Sequence, residues 1–142
     1  MESPSLTVTR VSCRALGGVI QHPGDAVRWQ ATWLVHNAGT EPLDLEAAWI
    51  PHGRFRGDGR LPLSGQIKAL ADQELEFSVT ADETPGTVVD NAFLILRLSQ
   101  RGVPWRIFIR MRIEFDPAGV PRPIVEAITS QCLQSAVSGS CQ

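Results

Sequence analysis

Apolar and polar residues alternate with a period of two along four stretches of the chain, which is the pattern of half-buried β-strands. The four stretches are residues 27–36, 43–50, 74–80 and 105–115. The alternation is weakest over 43–50, where Leu43, Leu45, Ala47 and Trp49 would share the buried face. Residues 88–98 are almost continuously apolar, which favours a central strand covered on both faces. Residues 5–15 are rich in threonine and valine and are predicted to form an opening strand.

The dipeptide Arg101-Gly102 separates two of these strands and predicts a hairpin turn between them. A hairpin centred there brings the apolar residues of both strands to one side, whereas a slip of one residue would place core residues opposite surface ones. The predicted cross-strand pairs are Leu98 with Trp105, Leu96 with Ile107, and Leu94 with Ile109.

All four tryptophans fall on the predicted buried face of a strand. They are Trp29, Trp33, Trp49 and Trp105. A carbohydrate-binding platform would present its aromatic rings on the outward face instead. We therefore interpret the tryptophans as packing residues.

The chain changes character after residue 116, because Pro117 and Pro121 end the run of strand-forming residues. Pro123 suits the first position of a helix, and Gly139 suits its end. One arc of a helical wheel would carry Ile124, Val125, Ile128, Cys132 and Ala136. The pattern predicts a short amphipathic helix over residues 123–137 that covers an open end of the strand layers. A docking or oligomerisation helix and a disordered tail are the alternatives.

A strand that ends in Val35-His36-Asn37-Ala38-Gly39-Thr40-Glu41-Pro42-Leu43 carries the signature strand, N-x-G-T, x-P-L, strand. This segment resembles the bacterial immunoglobulin-like sandwich domains of the cell-adhesion-related type. In the signature, asparagine caps the turn and glycine takes a positive φ angle. Ile67-x-x-Leu70 followed by Leu75-x-Phe77-x-Val79 is similar to the next step of that family, although Ala71-Asp72 stands where members usually place glycine. The matches cover about residues 5–116, and they imply a fold rather than an activity.

The predicted fold class is an all-β, immunoglobulin-like antiparallel β-sandwich of seven or eight strands with a short C-terminal helix. A length of 142 residues suits one domain. Residues 1–120 are assigned to the sandwich, and residues 121–142 to the helix and tail of the same domain. The pattern leaves open whether strands 27–36 and 43–50 form a hairpin or lie in opposite sheets.

Composition and charge narrow the function classes. The net charge is -2 and the pI about 5.9, so no general affinity for nucleic acid is expected. No apolar run approaches the ~20 residues of a membrane span, and residues 1–6 lack the apolar core of a secretion signal. The three cysteines form no C-x-x-C pair, which argues against a disulfide framework and a zinc cage. We therefore expect a cytoplasmic protein with reduced thiols and no cofactor.

Residues able to do chemistry are scattered along the chain. His22, His36 and His52 lie in separate segments, and no two have the spacing of metal ligands on one strand or helix. Glu74 and Glu76 share the polar face of one strand, whereas paired catalytic acids need burial to separate their pKa values. The sequence contains no nucleophile elbow, phosphate-binding loop or dinucleotide fingerprint. An enzyme is therefore the weakest of the function hypotheses.

Residues 52–60 are rich in arginine and glycine and are predicted to form a flexible cationic loop. Its side chains and backbone N–H groups suit a phosphate, a carboxylate or an acidic partner surface. The candidate binding residues of this loop are Arg54, Phe55, Arg56 and Arg60. The alternative is an exposed, charged loop tip without a ligand.

Outward positions of the two strands joined at Arg101-Gly102 mix arginine with aromatic and aliphatic residues. The candidate binding residues there are Arg97, Arg106, Phe108, Arg110 and Arg112, interleaved with Phe93 and Ile95. Like charges opposite one another repel, so Glu114 and acids of a neighbouring strand are expected beside them. The pattern favours either an ion-pair ladder or a protein-binding face, since interfaces are enriched in arginine and aromatic residues.

Two hypotheses of different class follow for the function. The first is a non-enzymatic protein-interaction or assembly module, whose partner is another protein or a second copy of the chain. The second is a small-ligand or anion-binding protein that uses residues 52–60. Neither hypothesis involves nucleic acid or a membrane.

Overall fold

Two antiparallel β-sheets face each other across one hydrophobic core. The computed structural model describes residues 10–134, and within that range the protein contains no helix, hence none able to cross a membrane. The strands described are β1 Val11–Ala15, β2 Ile20–Gln21, β3 Arg28–Asn37, β4 Leu43–Trp49, β5 Pro51–His52, β6 Phe55–Gly57, β7 Leu61–Pro62, β8 Gln66–Ile67, β9 Asp72–Thr80, β10 Val88–Gln100, β11 Val103–Phe115 and β12 Pro121–Cys132.

The first sheet has the strand order β1-β3-β9-β6-β5, with β2 also paired to β3. The second sheet has the order β12-β11-β10-β4-β7, with β8 also paired to β4. β3 and β4 therefore lie in opposite sheets, which settles the alternative left open by the sequence. The all-β, two-sheet architecture confirms the coarse prediction and is that of a β-sandwich-like fold.

The expected count of seven or eight strands is wrong, because residues 10–134 form twelve. Seven of these strands have five or more residues, and five have only two or three. Most of the short strands lie between residues 51 and 67, where the sequence predicted a loop and turns. Of the predicted opening strand, Val11–Ala15 forms β1, and residues 5–9 lie outside the described residues.

The hairpin between β10 and β11 has the predicted register. The observed pairs include Leu98 with Trp105, Leu96 with Ile107 and Leu94 with Ile109, and all six side chains are buried. Arg101 and Gly102 have φ angles of 54° and 78°, as a two-residue hairpin turn of type I′ requires. β10 is central in its sheet as expected, but only one of its faces is fully buried, and Phe93 and Ile95 on the other face are half-buried.

A β-bulge in β4 reverses which of its residues face the core. The register between β4 and β10 shifts by one residue at Glu46. Leu45 is buried before the bulge, and Ala48 is buried after it. Trp49 consequently lies half-buried on the outer face of the sheet, paired with Ile95. The prediction that Trp49 packs in the core is therefore wrong. The prediction is confirmed for Trp29, Trp33 and Trp105.

The C-terminal segment up to Cys132 is a strand, so the predicted helix over 123–137 is wrong in that part. β12 pairs with β11 along its whole length. A bulge at Glu126 places Val125 and Ile128 against the core three residues apart. That spacing imitates one helical turn, whereas the free edge of β11 and the β-branched residues favour a strand. Residues 135–137 of the predicted helix lie outside the described residues.

Candidate functional site

A row of side chains crosses four strands on the outer face of the second sheet. Trp49, Ile95, Phe108 and Thr129 are successive cross-strand partners in this row. Phe93 packs edge-to-face on Phe108, with the ring centroids 6.3 Å apart. The three rings and Ile95 are half-buried. Aromatic and aliphatic surface is therefore partly open to solvent on this side of the molecule.

Seven outward residues of β10 and β11, including Ile95 and Phe108 of this row, form what we call the Arg/Phe face. They are Phe93, Ile95, Arg97, Arg106, Phe108, Arg110 and Arg112. The structure thus brings together the five residues predicted on these strands. Arg97 and Arg106 are direct cross-strand partners, and Arg97 pairs with Glu46, with Nε and Oε1 3.4 Å apart. Arg106 has no carboxylate partner within residues 10–134, and its Nε atom is buried without a hydrogen bond.

The bulge residue Glu126 neutralises the other end of the Arg/Phe face. Its Oε2 atom accepts a hydrogen bond of 2.7 Å from Nη1 of Arg112, and its Oε1 atom lies 3.8 Å from Nε of Arg110. Arg112 also donates from Nε to Glu114 at 2.8 Å, and this hydrogen bond is the main cause that raises the pKa of Arg112. The expectation of acids beside these arginines is confirmed.

Residues 51–57 form a short β-hairpin where the sequence predicted a loop over 52–60. β5 pairs with β6, and β6 pairs with β9. Phe55 is fully buried, edge-to-face on Trp33 with 6.3 Å between centroids, so its ring is absent from the candidate binding surface. Arg54 Nη2 donates to Oε1 of Glu83 at 2.6 Å. This hydrogen bond raises the pKa of Arg54 and lowers that of Glu83, so Arg54 already has its counter-ion.

A cleft of about 590 Å³ opens beside β6 and contains the other two predicted arginines of this segment. Arg56 and Arg60 line it together with Trp49, Pro51 and Asp58. The guanidinium carbon of Arg60 lies 4.2 Å from the centroid of the Trp49 ring, in cation–π contact. Asp58 pairs with Arg28. Neither Arg56 nor Arg60 has a carboxylate partner in the described part of the chain.

Sequence reasoning missed Trp49 as a surface residue because it assumed unbroken alternation through β4. The signal available was the pair Ala47-Ala48, two adjacent small apolar residues that interrupt the alternation, and both are buried. Adjacent buried residues in a strand mark a bulge. Reading that break would have placed Trp49 on the outer face of the sheet.

The three histidines are held by local contacts. Nδ1 of His36 lies 2.6 Å from Oδ1 of Asp72, and Nε2 of His22 lies 3.1 Å from Oγ of Ser78. His52 accepts the backbone N–H of Arg54 at 3.0 Å. In the range 10–134, no group of three or more histidine, cysteine, aspartate or glutamate side chains is placed to hold a metal ion.

Cys132 is disulfide-bonded, so the expectation of three reduced thiols is wrong. Cys13 is a free thiol. Burial raises the pKa of Cys13 from its ordinary value of 9.0 to about 12. The thiol of Cys13 is therefore protonated across the physiological range.

We expect Cys13 to react with iodoacetamide at pH 8 about a thousand times more slowly in the folded protein than in the chain unfolded by urea, because only the thiolate attacks. Peptide mapping by mass spectrometry follows Cys13 separately from the other cysteines. The folded state keeps this proton between pH 9 and about 12 while the unfolded state loses it, so the thiol's contribution to stability falls as the pH rises through that window. Equal rates in the two states would contradict the burial of this thiol.

The chain matches no protein-family model and no curated protein sequence.

Proposed function

We propose that this protein is a non-enzymatic interaction module that binds an acidic protein surface through the Arg/Phe face. The observation that supports this proposal is the half-buried row of Trp49, Ile95 and Phe108, with Arg106 beside it and without a carboxylate partner in residues 10–134. Aromatic residues and arginine are the side chains on which protein interfaces most depend.

Charge favours an acidic partner over a second copy of the chain. Four arginines of the Arg/Phe face stand beside three glutamates. They are Arg97, Arg106, Arg110 and Arg112, beside Glu46, Glu114 and Glu126. The excess positive charge sits at Arg106, next to the apolar row. A partner carboxylate placed there would gain a charge-assisted hydrogen bond, whereas a second copy would bring another arginine.

We propose in addition that the sandwich is immunoglobulin-like, as the resemblance of residues 35–43 implies. The immunoglobulin fold orders its strands A-B-E-D in one sheet and C-F-G in the other. The order β1-β3-β9-β6 corresponds to the first set, and β4-β10-β11 corresponds to the second. β12 would then be an additional strand beyond strand G. A cytoplasmic location stays a prediction, and the disulfide at Cys132 weighs against it, since disulfides persist mainly in oxidising compartments.

We expect Phe108→Asp to weaken binding of the partner by at least about tenfold, because it removes an interface aromatic and repels an acidic surface. The partner is captured on the immobilised protein, purified and titrated by calorimetry. A captured protein supports the proposal only if its affinity falls with rising salt, as electrostatic complementarity requires. Leu34→Asp is the matched control, since Leu34 is a half-buried apolar residue on the outer face of the opposite sheet.

Light scattering after size exclusion at two salt concentrations decides between the possible occupants. A monomer is expected. A salt-insensitive dimer that Phe108→Asp dissociates would overturn the acidic partner and assign the face to self-association. A monomer whose captured proteins all bind Phe108→Asp and Leu34→Asp as tightly as the wild type would overturn the role of the face.

A further inference from the structure

We infer that the cleft between Trp49 and residues 56–60 binds a small ligand through a carboxylate or phosphate group carried on an apolar body. This site shares Trp49 with the row beside the Arg/Phe face, but its anion-binding groups, Arg56 and Arg60, lie outside that face, so the inference does not depend on the proposed protein binding. It also differs from the cationic loop that the sequence suggested, because Arg54 and Phe55 take no part in it and Trp49 does.

Arg60 is positioned in advance for an oxyanion. Its guanidinium is stacked on the Trp49 ring, with 4.2 Å from the guanidinium carbon to the ring centroid. A stacked guanidinium keeps its N–H groups free at the edge of its plane, where they match the two oxygens of a carboxylate or phosphate. Within residues 10–134 no hydrogen bond or ion pair uses these N–H groups. The stacking therefore restricts the conformational freedom of the Arg60 side chain before a ligand binds.

Arg56 supplies a second positive charge on the same cleft. Its backbone is fixed by pairing of β6 with Thr80 of β9, and its side chain is exposed. The carboxylate that lines the cleft belongs to Asp58, and Arg28 pairs with that carboxylate. The cleft thus keeps the charge of two arginines without an internal counter-ion, which favours an anionic ligand.

The size and walls of the cleft favour a small molecule with an apolar part. Its volume of about 590 Å³ lies in the range of small-molecule sites. Its lining combines the apolar residues Trp49, Ile50 and Pro51 with the charged side chains of Arg56, Asp58 and Arg60. A ligand with one oxyanion and one flat or aliphatic group would contact both the arginines and the apolar residues.

The test follows the indole N–H signal of Trp49 by NMR while four probes are added. The signal is assigned with Trp49→Phe, and the probes are benzoate, phenyl phosphate, inorganic phosphate and the neutral analogue benzamide. We expect saturable shifts with benzoate or phenyl phosphate and at least tenfold weaker binding of benzamide. Tighter binding of phenyl phosphate assigns the site to a phosphate ligand, and tighter binding of benzoate assigns it to a carboxylate.

Three arginine variants locate the binding. Arg60→Gln and Arg56→Gln are each expected to weaken the anionic probes about tenfold, because each removes a charge-assisted contact from an exposed side chain. Arg54→Gln is the matched control and leaves the affinity unchanged, since Arg54 is occupied by Glu83. Leu34→Asp also leaves it unchanged, because Leu34 lies on the outer face of β3 between Arg14 and Glu74 and does not line the cleft. The absence of saturable shifts up to about 10 mM probe, equal binding of benzamide, or unchanged affinity in Arg60→Gln would each overturn the inference.

Discussion

We expect Trp33→Ala to lower the free energy of unfolding by about 4 kcal/mol, because it empties the centre of the core. Trp33 is fully buried, and its ring packs edge-to-face on Phe55 and Phe77, with centroids 6.3 and 5.7 Å away. These rings come from three strands of the first sheet. Urea unfolding followed by circular dichroism measures the loss. If the alanine variant does not fold, Trp33→Phe gives a milder measurement, since it keeps an aromatic ring in place and removes an indole N–H that has no partner among the described residues.

Trp49→Ala is the matched control for this experiment. It makes the same substitution on the outer face of the other sheet, where the ring is half-buried. We expect the free energy of unfolding to fall by less than about 1.5 kcal/mol, because removal of a half-buried surface ring leaves no enclosed cavity in the core. Similar losses at Trp33 and Trp49 would contradict the bulge that turns Trp49 outward.

The second large effect is expected at Asn37, the buried polar side chain of the core. Its Nδ2 group donates to the carbonyl oxygens of Glu41 and Ile67 at 2.8 and 3.0 Å, and Oδ1 accepts the N–H of Gly39 at 3.0 Å. Asn37→Ala breaks all three bonds and leaves the Ile67 carbonyl oxygen buried without this partner. We expect the free energy of unfolding to fall by about 3 kcal/mol, measured by the same urea titration.

Asn91→Ala is the control, because Asn91 is exposed in the bulge of β10 and has a φ angle of 58°. Its replacement adds backbone strain without orphaning a buried group, so the expected loss is about 1 kcal/mol or less. A loss at Asn37 no larger than at Asn91 would show that the three hydrogen bonds contribute little to stability.

The sequence signature around Asn37 was correct about the residue and incomplete about its role. Asn37 does cap the turn through Gly39, as predicted. The expected positive φ angle at Gly39 is absent, whereas Leu70, where the chain returns to Asn37, has a φ angle of 62°. Asn37 also joins the end of β3 to β8 through its hydrogen bond to the carbonyl oxygen of Ile67. The sequence does not reveal this bond, because Ile67 is distant along the chain.

Alternation predicted the strands well where the register is unbroken. β3 alternates without interruption from Arg28 to Asn37, and the hairpin of β10 and β11 has the predicted pairs. Two errors in the fold lie at bulges: the bulge at Glu46 turns Trp49 outward, and the bulge at Glu126 gives β12 a helix-like spacing. The strands between residues 51 and 67 were missed for another reason, because strands of two or three residues are too short to show alternation. A bulge depends on the partner strand, so within one strand its only signal is a break in the alternation such as Ala47-Ala48.

The candidate site could be predicted only in part for the same reason. The alternation of inward and outward positions correctly placed Arg97, Arg106 and Phe108 on one outward face. The cleft, in contrast, depends on the bulge that brings Trp49 to Arg60. The charge and glycine content of residues 52–60 also led to the wrong prediction that Phe55 is exposed. The sequence does not show that β6 packs the Phe55 ring against Trp33.

The strand order also sets the sequence of events as the chain leaves the ribosome. β10, β11 and β12 are neighbours both in the chain and in the sheet, so they can pair as soon as they emerge. β3 must wait for β9, and β4 must wait for β10, while their apolar residues have no sheet to cover them. Such distant pairing makes folding slow, in the range of milliseconds to seconds. The unfinished chain therefore keeps apolar strand residues uncovered until its last third has been synthesised.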